Sequence, residues 1–239
     1  MIRSLWIYFN AIITVLRSGL KLNKGRKLYE LNNKQAQKEL FETPKWVSQK
    51  VIKSTGTDVH VSGQEKLPDE AVLYVSNHQG LFDILALIGY VGEPLGFIAK
   101  KEIEKLPIVS SWMGLMHGVF IDRADRRQSV KAINQGIENL KNGHSLVVFP
   151  EGTRSRGSNL NPFKSGSLRL ATKAKVPIVP ISIDGTYQML EEGKGKVKGS
   201  TIYMTILDPI YPADYSEKTH SEIAEILQTS IEKSLEQNV

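Results

Sequence analysis

Apolar residues fall along this chain in short runs, separated by polar and glycine-rich punctuation. Ala71-Val72-Leu73-Tyr74-Val75 and Ser145-Leu146-Val147-Val148-Phe149 have the length and composition of buried strands, as has the proline-punctuated run Val176–Ile183. Shorter runs at Pro94–Lys101 and Gly118–Arg123, and a further one over 201–207, read the same way. Thr57-Asp58-Val59-His60-Val61 alternates as a half-buried strand does, and a turn-rich connection follows from Gly63 to Asp69. Between the runs the period changes. Val130, Ile133, Ile137 and Leu140 are spaced 3, 4 and 3, which predicts a helix opened by Asp125 and closed by Asn142-Gly143. Ile84–Ile88, Leu168–Ala174 and Glu222–Leu235 are further helices. Strands and helices alternate, so the class is α/β.

The first quarter is patterned differently. Leu5-Trp6-Ile7-Tyr8-Phe9-Asn10-Ala11-Ile12-Ile13-Thr14-Val15-Leu16 lies between Arg3 and Arg17. Twelve residues of helix span about 18 Å, short of the roughly 30 Å hydrocarbon core of a bilayer. Arg3, Asn10, Thr14, Arg17 and Lys21 form one narrow polar stripe, and the opposite side is apolar or aromatic. Such a helix can lie in a bilayer interface or pack as a core helix. A signal peptide fits poorly, because Lys21, Lys24, Arg26 and Lys27 follow the apolar run with no small-x-small cleavage site. Residues 30–55 predict more helix, with Pro44 in the first turn of a new segment. Lys45, Lys50 and Lys53 surround Trp46, either as a second basic, aromatic element or as a solvated face.

Charge sharpens this division. The net charge is +6, but residues 1–60 carry 11 Lys/Arg against 4 Asp/Glu, and residues 61–239 carry 20 against 21. The excess is therefore N-terminal, which favours an anionic membrane surface as its partner. A near-neutral body with no basic stripe argues against nucleic acid. We divide the chain into an N-terminal membrane-association element, 1–56, and a main domain, 57–239. The 239 residues can bury one sizeable core. Without cysteine there is no disulfide, thiolate metal site or Cys nucleophile, and the five scattered histidines show no metal-ligand spacing.

The candidate chemistry sits at Asn77-His78-Gln79-Gly80-Leu81-Phe82-Asp83, where the first strong strand gives way to a helix. Five positions on an unbroken helix are about 500°, leaving His78 and Asp83 roughly 140° apart. The two meet only if the chain bends between them, and Gly80 is the residue that allows it. Asp83 then accepts the Nδ1–H of His78 and leaves Nε2 as a general base. The alternative is an acid in a helix's first turn beside a loop histidine. Other strands also end in polar groups, at Lys100, Arg123 and Glu151/Arg154. Strand ends that converge would gather a base and several cations, a combination suited to an anionic acceptor.

These residues fall into four ordered blocks: Asn77 to Asp83 as N-H-x-x-x-x-D, Gly118-Val119-Phe120-Ile121-Asp122-Arg123, Phe149-Pro150-Glu151-Gly152-Thr153-Arg154-Ser155, and Val176-Pro177-Ile178-Val179-Pro180-Ile181. In this the chain resembles the glycerolipid acyltransferase superfamily, most closely the bacterial 1-acyl-sn-glycerol-3-phosphate acyltransferases. The resemblance covers roughly residues 55–210. It implies a mixed, largely parallel central sheet flanked by helices, with His78 and Asp83 as catalytic dyad. It assigns Asn77, Lys100, Arg123, Glu151, Gly152, Thr153 and Arg154 to the acceptor site, with Lys164 and Gly166 as weaker candidates. Some bacterial members carry an N-terminal two-helix docking element similar to residues 1–55.

The implied reaction moves an acyl group from a thioester to the 2-hydroxyl of a lysophosphatidate. A thiolate leaves readily, its conjugate thiol having a pKa near 8.5, so no covalent acyl-enzyme is needed. No cofactor is implied: acyl carrier protein or coenzyme A carries the donor, and membrane lipid supplies the acceptor at the cytoplasmic face. Glu151 is expected to orient Arg154 or the acceptor, and backbone N–H groups near Gly80 or Gly152 are the candidate oxyanion donors. Glycerol-3-phosphate or another lysolipid remains an alternative acceptor. A His/Asp hydrolase is a second class, though no G-x-S-x-G elbow is present. A non-catalytic membrane-binding protein is a third.

Overall fold

A computed structural model describes residues 2–122 and 124–237. In chain order the elements are α1 (Ile2–Gly19), α2 (Leu22–Leu31), α3 (Lys34–Ser54), β1 (Asp58–Ser62), β2 (Leu73–Ser76), α4 (Phe82–Tyr90), β3 (Gly96–Lys100), α5 (Pro107–Leu115) and β4 (Val119–Ile121). Then follow α6 (Arg126–Lys141), β5 (Leu146–Val148), α7 (Arg169–Ala174), β6 (Ile178–Asp184), α8 (Tyr187–Leu190), β7 (Thr201–Ile206), α9 (Pro212–Tyr215) and α10 (His220–Glu236).

The strands form one sheet in the order β1-β7-β6-β2-β5-β3-β4. Every pairing is parallel except β6 with β7. The sheet is therefore mixed and largely parallel, as the resemblance implied. All of β2 and nearly all of β6 is buried on both faces, which is why those runs are continuously apolar. β1 lies at an edge and keeps its alternation.

Along β2 the side chains divide between two cores. Val72 and Tyr74 join one that includes Leu87 and Val91 of the α4 region, Ile52 and Phe41 of α3, and Ile7 of α1. Leu73 and Val75 join the other, with Leu140 of α6, Leu170 of α7 and Leu227 of α10. The result is helix, sheet and helix in three layers. The helix starts follow side-chain chemistry. Asp125 caps α6 through the N–H groups of Arg127 and Gln128, and Thr219 and Glu222 form a reciprocal capping box on α10.

One expectation needs correction. Pro44 does not open a helix; it lies inside the continuous α3. One missing N–H is tolerated there because α3 buries a long face, including Pro44 itself, against the body. The polar stripe of α1 is divided, with Arg17 and Lys21 exposed and the rest turned toward the body. Thr14 is buried beside Ser18, which accepts a hydrogen bond from Trp112 Nε1 at 3.0 Å, and Arg3 donates to the Thr55 carbonyl at 2.8 Å. Much of the apolar face points outward: Leu5, Trp6, Phe9, Ile12 and Leu16 are each more than half exposed. Among the described residues no helix is long and apolar enough to cross a membrane.

Candidate active site

Three neighbouring strands, β6, β2 and β5, deliver the site at one end of the sheet. β2 leads to Asn77 and His78, β5 to Phe149 through Arg154, and β6 to Asp184 and Thr186. These are the carboxyl ends of parallel strands, where loops are free to carry polar groups outside the core.

His78 and Asp83 meet. His78 Nδ1 lies 2.7 Å from Asp83 Oδ2, with the histidine side chain 15% exposed and the aspartate fully buried. The helix starts only at Phe82, so residues 78–81 fold back and the 140° separation never arises. Asp83 Oδ2 also accepts the Gly80 N–H at 2.8 Å, and Oδ1 accepts a short hydrogen bond from the Thr186 hydroxyl. With its two oxygens spanning three donors, the carboxylate is locked in position and in turn fixes the imidazole as an Nδ1–H tautomer. Nε2 keeps its lone pair. The ring also stacks on Phe149, with centroids 4.0 Å apart.

Gly80 serves the bend for a reason other than backbone freedom. It is not among the residues with positive φ; instead a Cβ there would lie 2.5 Å from Glu191 Oε2 and 2.9 Å from its Cδ. The glycine makes room for a carboxylate. Gly185 is required by conformation as well, with φ of 93° and a Cβ that would sit 2.1 Å from the Thr201 carbonyl oxygen. That turn at the end of β6 aims Thr186 at Asp83.

The sequence-predicted acceptor residues divide. Asn77 is completely buried, and its amide bonds both the N–H and the C=O of Ile183 at 2.8 Å. It clamps β2 to β6, with its side chain shut off from solvent. Glu151 is also buried, with one oxygen on the His78 N–H at 2.6 Å and the other on the Asn161 N–H at 3.0 Å. Its partners are these two backbone N–H groups rather than Arg154, so it braces the backbone at His78. Burial pushes its carboxyl above the usual range, against the pull of those backbone hydrogen bonds.

Arg154 is partly exposed and donates from Nη1 to Glu191 Oε1 at 2.9 Å. The same oxygen accepts the Leu81 N–H at 2.9 Å. Further backbone bonds, Ser155 N–H to the His78 carbonyl at 2.8 Å and Arg156 N–H to the Gln79 carbonyl at 3.1 Å, join the first and third blocks directly. Gly152 adopts φ of 75° in the intervening turn, and Thr153 is exposed there. Lys100 is exposed at the carboxyl end of β3. Lys164 and Gly166 are exposed beyond the third block. Arg123 lies outside the described residues.

Of the backbone N–H groups around Gly80 and Gly152, those of the two glycines themselves are both engaged, Gly80 with Asp83 and Gly152 with the Phe149 carbonyl at 3.0 Å. Neither is a free donor. Among the described residues no three His, Cys, Asp or Glu side chains converge to hold a metal. Sequence reasoning missed Thr186 and Glu191. The available signal was Asp184-Gly185-Thr186, a polar, glycine-containing turn directly after the fourth block.

A cavity of about 570 Å³ lies at the other end of the sheet, between the start of α3 and the residues that lead into β2, β3 and β5. Tyr74, His117 and His144 line it. There Tyr29 of α2 stacks on His117 and His117 on His144, with centroids 4.8 and 3.3 Å apart. Burial, helped by the neighbouring imidazole, lowers His117 to about 4; burial lowers His144 as well.

A family model described as acyltransferase matches residues 58–184. A 1-acyl-sn-glycerol-3-phosphate acyltransferase of Saccharomyces cerevisiae is 33% identical over 186 residues, covering 76% of this chain and 61% of the relative. A chloroplastic enzyme of the same name from Brassica napus is 37% identical over 70% of this chain and 48% of its own length. This chain thus spans from about half to three fifths of these two relatives. A probable 1-acyl-sn-glycerol-3-phosphate acyltransferase of Mycoplasma pneumoniae is 35% identical over 71% of this chain and 68% of that protein. The crystal structure of the 1-acyl-sn-glycerophosphate acyltransferase PlsC from Thermotoga maritima superposes with a TM-score of 0.86 at 30% identity, covering 99% of this chain and 94% of that one.

Proposed function

This chain belongs to the acyltransferase family, and from that premise we propose that it transfers a fatty acyl group from a thioester to the 2-hydroxyl of 1-acyl-sn-glycerol-3-phosphate, giving phosphatidic acid. The observation that carries the reading is the buried Asp83 carboxylate set on Nδ1 of a partly exposed His78, which leaves Nε2 for an acceptor hydroxyl, on a turn whose backbone is bonded to the segment that follows Arg154.

The geometry suits direct transfer. His78 Nε2 takes the proton of the acceptor hydroxyl as its oxygen attacks the thioester carbonyl. Asp83 stabilises the imidazolium that forms, as the acid does in a Ser-His-Asp triad. The proton then passes to the departing thiolate, which needs little help at neutral pH. No side-chain nucleophile is required. Arg154, its guanidinium held from behind by Glu191, keeps donors for an acceptor phosphate. Lys100, exposed at the carboxyl end of β3, and Thr153, exposed next to Arg154 in the chain, are the candidates for further contacts to the head group.

The acceptor is a bilayer lipid, and the outward apolar face of α1 supports action at a membrane surface. The donor is a thioester of acyl carrier protein or of coenzyme A. The test offers purified protein both thioesters with lysophosphatidate, glycerol-3-phosphate or no acceptor, and follows thiol release and lipid products. Phosphatidate formation that requires lysophosphatidate is the expected result. Free fatty acid released at the same rate without acceptor would instead identify a hydrolase.

A further inference from the structure

We infer that Glu191, at the end of α8, is a positioning residue that sets Arg154 for the acceptor's phosphate and ties it to the turn carrying the catalytic dyad. The inference rests on the proposal that Arg154 binds that phosphate.

Glu191 is nearly inaccessible, 4% exposed, whereas Arg154 is 36% exposed. The carboxylate is thus behind the guanidinium and the guanidinium faces the opening. One carboxylate oxygen, Oε1, takes two donors that come from different blocks: Arg154 Nη1 from the third and Leu81 N–H from the first, both at 2.9 Å. The other oxygen, Oε2, is buried with no hydrogen-bond partner, against the Cα of Gly80. A buried carboxylate with one unpartnered oxygen is poorly compensated by hydrogen bonding alone. The opposite charge of Arg154 is what makes the site tolerable, so the pair is an electrostatic unit.

The arrangement has a directional consequence. A guanidinium presents five donors in a rigid plane, so anchoring Nη1 from one side fixes where the remaining N–H groups point. Arg154 would otherwise be a long side chain with several rotamers at a partly open surface, and would lose that freedom only on binding phosphate. Held in advance, it binds with less entropic loss. The second donor adds registration. Leu81 is the residue after Gly80, and the Gly80 N–H bonds Asp83 Oδ2. One carboxylate therefore fixes the phosphate ligand relative to the dyad, and with it the distance between the acceptor's phosphate and its reacting hydroxyl.

The test compares Glu191→Gln, Arg154→Ala and the double variant in the full chain. The acceptors are lysophosphatidate and a phosphate-free 1-acylglycerol, in mixed micelles with one acyl thioester. Gln retains an oxygen for Leu81 and removes the charge that holds Arg154, and thermal melts verify that each variant is folded. We expect Glu191→Gln to raise KM for lysophosphatidate about tenfold, the scale of weakening one charge-assisted hydrogen bond, with kcat falling less than about twofold. KM for 1-acylglycerol should change by less than about twofold, and adding Glu191→Gln to Arg154→Ala should change nothing further beyond about twofold. A merely structural role predicts the opposite: losses on both acceptors that multiply with those of Arg154→Ala. That pattern would overturn the inference, as would a silent Glu191→Gln beside an Arg154→Ala that still raises KM for lysophosphatidate, which leaves the phosphate assignment standing. An Arg154→Ala enzyme with undiminished preference for the phosphorylated acceptor would remove the phosphate assignment and the role of Glu191 together.

Discussion

Replacing Thr186 with Val probes how much of the dyad's function depends on the residue behind it. Thr186 and Asp83 are both completely buried, and the hydroxyl donates to Asp83 Oδ1 while Oδ2 serves His78 and Gly80. Val has the same shape, so no cavity forms; what is lost is a hydrogen bond to a buried carboxylate that water does not reach. Hydrogen bonds to charged groups contribute about 1.5–3 kcal/mol, and a buried acceptor left without a partner incurs a penalty of that size. If the loss falls on the transition state, where Asp83 must stabilise an imidazolium, it corresponds to a fall of about 10- to 150-fold in kcat. Thr186→Ser supplies the control. It keeps the hydroxyl and removes a methyl, at a stability cost of about 1 kcal/mol for the small void. The assay is thiol release at saturating acceptor alongside thermal unfolding. The two variants should dissociate: Val loses turnover, and Ser loses some stability and keeps most turnover. A Val variant with wild-type kcat, or a Ser variant as slow as Val, would refute the reasoning.

Two other outcomes follow from features remote from the dyad. His117 is held neutral in the fold at about 4 against an ordinary 6.5, so the unfolded chain binds its proton first as pH falls. Its contribution to stability is complete above about 6.5 and is lost as pH falls from there toward 4. Discounted for partial exposure, the loss is on the order of 1–2 kcal/mol. His117→Asn, which tolerates the left-handed φ of 57° at this position, should flatten the dependence of unfolding free energy on pH in that window; an unchanged slope would contradict it. On α1, polar substitutions at Leu5, Phe9 and Leu16 should abolish co-sedimentation with anionic vesicles at high salt, because the exposed face is apolar. Charge reversal at Arg17, Lys21 and Lys24 should weaken binding only at low salt. Binding unaffected by the apolar substitutions would assign that face another partner.

Legibility in the sequence followed burial and period. β2, β5 and β6 were readable because central parallel strands are buried on both faces and need continuous apolar runs. α6 was readable from its 3-4-3 spacing and from Asp125, whose carboxylate caps two N–H groups. α5 was not identified: Pro107 is a good first-turn residue, but Pro107–Leu115 is too short and too evenly apolar for its periodicity to emerge. The same dense apolar patterning concealed which face of α1 meets the body. At the site, the contact between His78 and Asp83 was readable because their residue types announce their chemistry. Asn77 and Glu151 announce the same chemistry, yet are consumed by the Ile183 backbone and by the N–H groups of His78 and Asn161. Polar type marks a residue as important without saying whether it faces substrate or backbone. Thr186 and Glu191 lie more than a hundred residues from the turn they support, and only β6 running beside β2 brings them there.

We propose His78 as the base that activates the acceptor hydroxyl. Its most direct test is the initial rate of phosphatidate formation by His78→Ala, measured with lysophosphatidate and an acyl thioester on protein whose unfolding profile matches the wild type. A positioned general base contributes on the order of 10²–10⁴-fold, so the rate should fall by that factor. Turnover by the folded His78→Ala protein at the wild-type rate would contradict a general-base role for His78.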